Sequence, residues 1–313
     1  MGGGSYSTKD WTTFSTSRGY HDPSTKTEHI YSKRTIDKDL DPLNFRFRES
    51  RDSIDNPQST PLILGLDVTG SMNPVLDKLA REGMKTVCEE IYDRKPITDP
   101  HICTLGIGDV ESDQFPLQAT QFEADIRIFE ALEKLYLEKG GGGNDYESYI
   151  LAWYFAKFRT LTDSFAKRGV KGYVITVGDE CVTPVVRASD LKRFLGEEEA
   201  HDWDAPSLFK AASEEWRIYH IILTEGTNYH EGTPETWRDA IGAQHVISLD
   251  DYTKLGETVV SLLEVCSGKN LKDVTGTWDG STGLVVGKAL QDVEVGSVAT
   301  SGGGPLGLDE AVM

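Results

Sequence analysis

The chain has 313 residues, 38% of them hydrophobic, and carries 32 basic against 51 acidic side chains, a net charge of -19. That apolar content supports a globular core of one large or two small domains. The acidic balance repels nucleic acid and anionic lipid and favours divalent cations and basic partners, with simple solubility as the alternative reading. No run approaches the roughly 18 apolar residues of a membrane span. The opening MGGGSYSTKDW lacks the charged head and apolar stretch of a secretory leader, so a cytoplasmic protein without membrane attachment is expected.

Residues 1–58 are polar, with few aliphatics, and cannot build a core of their own. Their aromatics Trp11, Phe14, Tyr20, Tyr31, Phe45 and Phe47 are spaced either to dock on a neighbour as a wrapping arm or to sit in a disordered leader. PLILGLD, ending at Asp67, is a short continuous apolar run, the pattern of a strand buried on both faces of a parallel sheet. Asn73-Pro74 then offers an N-cap and a first-turn proline for a helix whose apolar face is Val75, Leu79, Met84, Val87, Cys88 and Ile91. HICTLGIGD (101–109) predicts a strand, PLQATQF a looser extended piece, and residues 124–137 a helix. The glycines of KGGGGND (139–145) break it, and a helix over 147–158 follows. Tyr146, Tyr149, Trp153, Tyr154 and Phe158 lie at helical spacing there and read as core.

GYVITVGDE (172–180) is a second apolar strand that ends in carboxylates. Helices near 189–196 and 206–216, a strand over 217–224, a helix over 234–241, the short strand HVISL and a helix over 251–266 complete the pattern. Residues 269–313 repeat Gly, Val, Asp and Ser and predict a Gly-rich flexible or edge-strand tail. Strands alternating with helices predict an α/β fold, a doubly wound, mostly parallel open sheet with helices on both faces, over residues 59–268. Ligands of such sheets bind at the carboxyl ends of the strands where strand order reverses.

Two strands end there in aspartate, Asp67 and Asp179. Thr69 and Ser71 follow Asp67 at alternate positions, and the Gly-rich loop brings Asn144, Asp145 and Glu147 toward the same crevice. Carboxylates with hydroxyls make a hard oxygen cage of the kind Mg2+ takes, roughly six oxygens with some left to water. Each residue also has a structural reading, since Thr69, Ser71 and Asn73 are good helix caps. The scattered Cys88, Cys103, Cys181 and Cys266 form no C-x-x-C pair, and the histidines form no H-E-x-x-H. Free thiols are therefore expected, and a metal held by nitrogen and sulfur is not.

Asp67-Val68-Thr69-Gly70-Ser71-Met72 resembles the D-x-[ST]-G-S opening of von Willebrand factor type A domains, which carry a metal-ion-dependent adhesion site on top of a doubly wound sheet. The wording RESRDS followed by NPQSTPLILGLDVTGSM is similar to bacterial and phage proteins of this type. The resemblance implies that Asp67, Thr69 and Ser71 form the first ligand loop and Asp179 the last. An intermediate loop often gives a threonine; GGGGNDYES has none. Its Glu147 matches the subgroup with a glutamate there, with Asn144 and Asp145 as secondary candidates. Mg2+ is the implied cofactor, with Mn2+ or Ca2+ as alternatives. The implied function is non-enzymatic, a protein-binding module whose cation is completed by an Asp or Glu of a protein partner, with an AAA+ ATPase as one partner class.

D-V-T-G-S is also similar to the D-K-T-G-T of P-type ATPases and haloacid dehalogenase-like phosphohydrolases. There Asp67 would be a nucleophile, and Lys167 or Lys171 could mimic the family's lysine. The carboxylate expected shortly after G-D is missing, because Cys181, Val182 and Thr183 follow Glu180. A third reading is a virion or assembly component built on the same fold. No G-K-[ST] or G-x-G-x-x-G supports a nucleotide site.

Overall fold

The computed structural model describes residues 3–22, 24–138, 144–198 and 200–293. Its centre is a six-stranded sheet of β1 (Thr60–Asp67), β2 (Pro100–Ile107), β3 (Leu117–Ala119), β4 (Gly172–Gly178), β5 (Trp216–Leu223) and β6 (Val246–Leu249). The order is β6-β5-β4-β1-β2-β3, and every neighbouring pair is parallel except the edge pair of β2 with β3. All residues of β1, β2 and β4 are buried, as their unbroken apolar runs require in a sheet covered on both faces. The chain leaves β1 for β2 on one side and later returns to β4 on the other. The switch point therefore lies between β1 and β4, and the fold is the expected doubly wound α/β sheet.

Alternation along β1 feeds two apolar layers. Leu62, Leu64 and Leu66 join the layer built with α2 (Asn73–Lys78), α3 (Met84–Arg94) and α4 (Leu255–Cys266). Ile63 joins the opposite layer with α5 (Ile150–Phe158), α6 (Ala205–Ala212) and α7 (Thr233–Ile241). Asp67, an even number of residues from Ile63, is aimed at the α5 side. Tyr149 and Trp153 are fully buried in that layer, whereas Tyr146 is 41% exposed. The reason is local: Tyr146–Glu147 is a two-residue strand ahead of the helix, so helical spacing does not apply to it.

Several boundaries differ from expectation. Asn73 is the first helical residue and not its cap; a short 3-10 turn (Gly70–Met72) precedes it, and no side chain caps α2. Between α2 and α3 the helix widens into a π turn (Leu79–Gly83), where Gly256 of α4 presses so closely that a Cβ would lie 2.8 Å from the Gly83 carbonyl oxygen. The helix expected over 124–137 is confined to Arg127–Leu132. In place of a flexible or edge-strand tail, residues beyond 269 form two helices, Leu271–Thr275 and Gly280–Ala289, capped by the side chains of Asn270 and Asp279. Residues 294–313 lie outside the described residues.

The N-terminal segment wraps the sheet domain. Its helix α1 (Thr8–Arg18) starts at a Ser7 side-chain cap and stops at Gly19, whose φ of 69° is the left-handed conformation glycine tolerates. Trp11 is 1% exposed, with its ring centroid 4.4 Å from that of Phe129. Tyr31 donates to the Leu76 carbonyl of α2 at 3.1 Å, and Arg81 donates to the Tyr20 carbonyl at 2.8 Å. On the opposite face, the Arg159 guanidinium donates to the Pro42 and Arg46 carbonyls.

Candidate functional site

Asp67 is completely buried where β1 ends. Its Oδ1 accepts from the Thr69 backbone N–H at 2.8 Å and from the Thr69 hydroxyl at 2.6 Å. Its Oδ2 accepts from the Tyr149 phenol at 2.9 Å. Ser71 Oγ lies 3.3 Å from Thr69 Oγ1. Tyr149 reaches Asp67 because Gly178 has no side chain; a Cβ there would sit 1.9 Å from the phenol oxygen. The Tyr149 ring packs beside His220 and Trp237, at centroid distances of 4.9 and 5.5 Å.

The loop after β4 supplies the second wall. Tyr146–Glu147 pairs in parallel with Cys181–Val182, which sets Glu147 beside the segment that follows Asp179. The Thr183 hydroxyl donates to the Glu147 carbonyl. Asp179 is completely buried; its Oδ2 accepts from the Asn228 backbone N–H at 2.9 Å, and its Oδ1 has no hydrogen-bond partner among the described residues. Gly226 packs against it so tightly that a Cβ would come within 2.2 Å of the Asp179 Cβ. Glu180 accepts from the Asn228 side-chain amide at 2.6 Å through Oε1, leaving Oε2 buried and, among the described residues, unpartnered. Glu147 Oε2 is likewise buried and unpartnered.

Of the secondary candidates, Asn144 donates to Asp109 Oδ2 at 2.9 Å, and Asp145 is exposed, with its carboxylate 3.8 Å from His230 Nε2. Asp109 is a third buried aspartate just past a strand end, following β2. It also takes the Ser148 hydroxyl at 3.4 Å, so it ties down both flanks of the loop carrying Glu147. Residues 139–143 of the Gly-rich run lie outside the described residues.

Crowded burial dominates the electrostatics. Desolvation, then the charge of Asp179, raises the Asp67 carboxyl above the ordinary range despite the Thr69 and Tyr149 hydrogen bonds. Desolvation raises Glu147 further, reinforced by Asp67, Glu180, Asp113 and Asp109. Glu180 is pushed up to about 7 by burial and then by Asp67, and Asp179 is raised by burial. The Tyr149 phenol is held protonated by burial and by the surrounding carboxylates, so it acts as a donor.

This donor set fits a hard cation in chemistry: carboxylates, two hydroxyls, and buried orphan oxygens on Glu147 and Asp179. Thr69 gives its proton to Asp67 and accepts from Ser71, which leaves it one lone pair. Two cis ligands of an octahedral Mg2+ with bonds of about 2.1 Å lie roughly 3.0 Å apart, a little closer than Thr69 Oγ1 and Ser71 Oγ. Among the described residues, no three His, Cys, Asp or Glu side chains converge closely enough to hold a metal by themselves. A metal site here therefore needs the hydroxyls of Thr69 and Ser71 as ligands beside the carboxylates.

Tyr149, Asp109, Glu180 and Asn228 escaped sequence reasoning as site residues. Tyr149 sits in an apolar helical pattern that conceals its polar end, and Asn228 follows β5 with no motif around it. Asp109 and Glu180 carried a signal, since both adjoin the carboxyl ends of apolar strands. Lys167 forms ion pairs with Asp163 and Asp52, and Lys171 donates to the Ser213 carbonyl. Both precede β4, so its seven residues, roughly 20 Å long, separate them from the Asp67 end.

Fold and site together define a doubly wound α/β protein with buried carboxylates gathered at its switch point. No family model and no curated protein sequence matches the chain. Among solved structures it is similar to proximal thread matrix protein 1 from the mussel byssus, at 14% identity and a TM-score of 0.41, over 67% of this chain and 46% of that one. It is also similar to the conserved hypothetical protein BatB from Bacteroides thetaiotaomicron, at 15% identity and a TM-score of 0.39, over 67% of this chain and 100% of that one. The pilus adhesin SpaC from Lactobacillus rhamnosus GG, in its open conformation, aligns at 11% identity with a TM-score of 0.42, over 71% of this chain and 31% of that one. The chain thus spans under half the length of the mussel protein and of the adhesin. Among the described residues, no helix is long and apolar enough to cross a membrane.

Proposed function

We propose that the crevice is a divalent-cation site that anchors a protein partner. Asp67, Thr69, Ser71, Glu147 and Asp179 would hold Mg2+, with Mn2+ or Ca2+ as substitutes, and an Asp or Glu side chain of the partner would complete it. The observation that carries this reading is that Glu147 Oε2 and Asp179 Oδ1 are buried carboxylate oxygens without partners among the described residues, beside a carboxylate–hydroxyl loop. Unpaired buried acids are costly unless a cation or a proton neutralises them. When bound, the cation supplies a strong local positive charge within an acidic surround, which orients an incoming carboxylate.

The chain's own residues prepare that contact. Thr69 is polarised by its short bond to Asp67, Asn228 and Gly226 fix Asp179, and Asp109 secures the loop that presents Glu147. An AAA+ ATPase is the partner class suggested by the sequence resemblance, and an assembly or virion component is compatible with the same chemistry. The phosphoryl-transfer alternative requires a lysine near Asp67, and Lys167 and Lys171 both precede β4, at its far end.

Water-proton relaxation with Mn2+ tests the open coordination position. The wild type should show enhanced relaxation that declines as acetate is added, and Asp67→Ala should show no enhancement. Enhancement retained in Asp67→Ala, or insensitive to acetate, would contradict the proposal.

A further inference from the structure

Tyr149 is fully buried, yet its phenol is spent on one carboxylate oxygen of the candidate cation site, Asp67 Oδ2, at 2.9 Å. Each carboxylate oxygen has about two acceptor sites. Thr69 fills both on Oδ1 through its backbone N–H and its hydroxyl, and Tyr149 fills one on Oδ2. Among the described residues, one acceptor site therefore remains on Asp67, on Oδ2, beside the phenol. The contact is built rather than incidental. Gly178 clears the path, since a Cβ there would overlap the phenol oxygen, and the ring is held against His220 and Trp237, which stack at 3.5 Å between centroids.

We infer that Tyr149 is a positioning residue for the cation: its hydroxyl locks the Asp67 carboxylate so that a single Oδ2 lone pair is presented to the crevice. This rests on the cation reading of the site. The phenol touches the ligand and not the metal, so it acts through Asp67 by fixing orientation and by sharing the charge that would otherwise repel Asp179. Hydrogen-bond partners of metal ligands typically govern affinity by 10- to 100-fold.

The test is Mg2+ titration calorimetry at constant pH on the full chain, comparing wild type, Tyr149→Phe and Gly178→Ala, with the metal-free melting transition recorded for each. Tyr149→Phe keeps the ring and its packing, and should weaken Mg2+ binding roughly tenfold while retaining a single cooperative transition. Gly178→Ala displaces the phenol without touching Asp67 and should weaken binding in the same direction. If the wild type binds Mg2+ and Tyr149→Phe binds it equally well or more tightly, the phenol is a structural partner or a competitor of the metal, and this inference alone is overturned. A wild type that binds no Mg2+ overturns the cation reading and this inference with it.

Discussion

Glu147 and Asp179 each bury an oxygen that nothing in the described protein satisfies, so their neutral analogues separate stability from function. Glu147→Gln removes an acid that burial, Asp67 and Glu180 hold protonated in the folded state, and with it the cost of taking up that proton on folding. It should raise the metal-free melting temperature while diminishing the shift produced by Mg2+, the exchange of stability for site chemistry common at functional positions. A lower metal-free melting temperature would show that Glu147 is structurally paired. The same crowding predicts pH dependence. Asp67, Glu147, Asp179 and Glu180 all hold protons more tightly when folded, so these four groups bind more protons in the native state than in the unfolded chain, opposed below pH 6.5 by His220 and His245, which burial holds neutral. Stability in chelator is thus fullest near the ordinary carboxylate range and falls as pH rises toward the value of about 7 at which Glu180 ionises. Asp52 and Asp163, whose carboxyls are lowered by ion pairs, contribute their full share above the ordinary range and do not alter this trend. Melting in chelator from about pH 5 to about pH 8 should show a steady decline, reduced by Mg2+; a flat or rising profile would contradict the crowding. At this scale the sequence revealed the Asp67–Thr69–Ser71 spacing and the carboxylate at the end of β4. It concealed Tyr149, because a hydroxyl on a buried ring leaves no mark on hydrophobic periodicity.

The strands were the most legible elements, since a run such as PLILGLD has only one comfortable environment, a sheet covered on both faces. The wrapping of residues 1–58 was less so. Their composition says that they cannot fold alone, but not where Trp11, Tyr20 and Tyr31 dock, which depends on Phe129 and on α2 being in place. The final helices were missed because Gly280–Ala289 carries three glycines among its ten residues, although Asp279 marks its start as a cap. Packing overrides those poor propensities: Val286 and Leu290 are fully buried, and Trp278 donates to Ser261 of α4 at 2.8 Å. The π turn at Leu79–Gly83 has no sequence signature and arises where Gly256 crosses. If the N-terminal segment is an integral layer, Trp11→Ala should cost about 3–5 kcal/mol in denaturant unfolding without splitting the transition. A loss below about 1 kcal/mol would mean that the segment is only loosely attached.

Across the whole molecule, topology turns separated residues into one crevice. Asp67, Glu147 and Asp179 are far apart in sequence, and they approach one another because β4 returns beside β1 and the Tyr146–Glu147 strand pairs with Cys181–Val182. A chain of net charge -19 that concentrates buried carboxylates at this point gains from a bound cation both locally and overall. The most direct measurement is the melting temperature of the full chain in Mg2+ and in chelator, for wild type and for Asp67→Ala at matched ionic strength. The wild type should melt at a higher temperature with Mg2+ by mass action, and Asp67→Ala should show no Mg2+ shift. An equal shift in both proteins, or none in the wild type, would contradict the assignment of the crevice as a cation site.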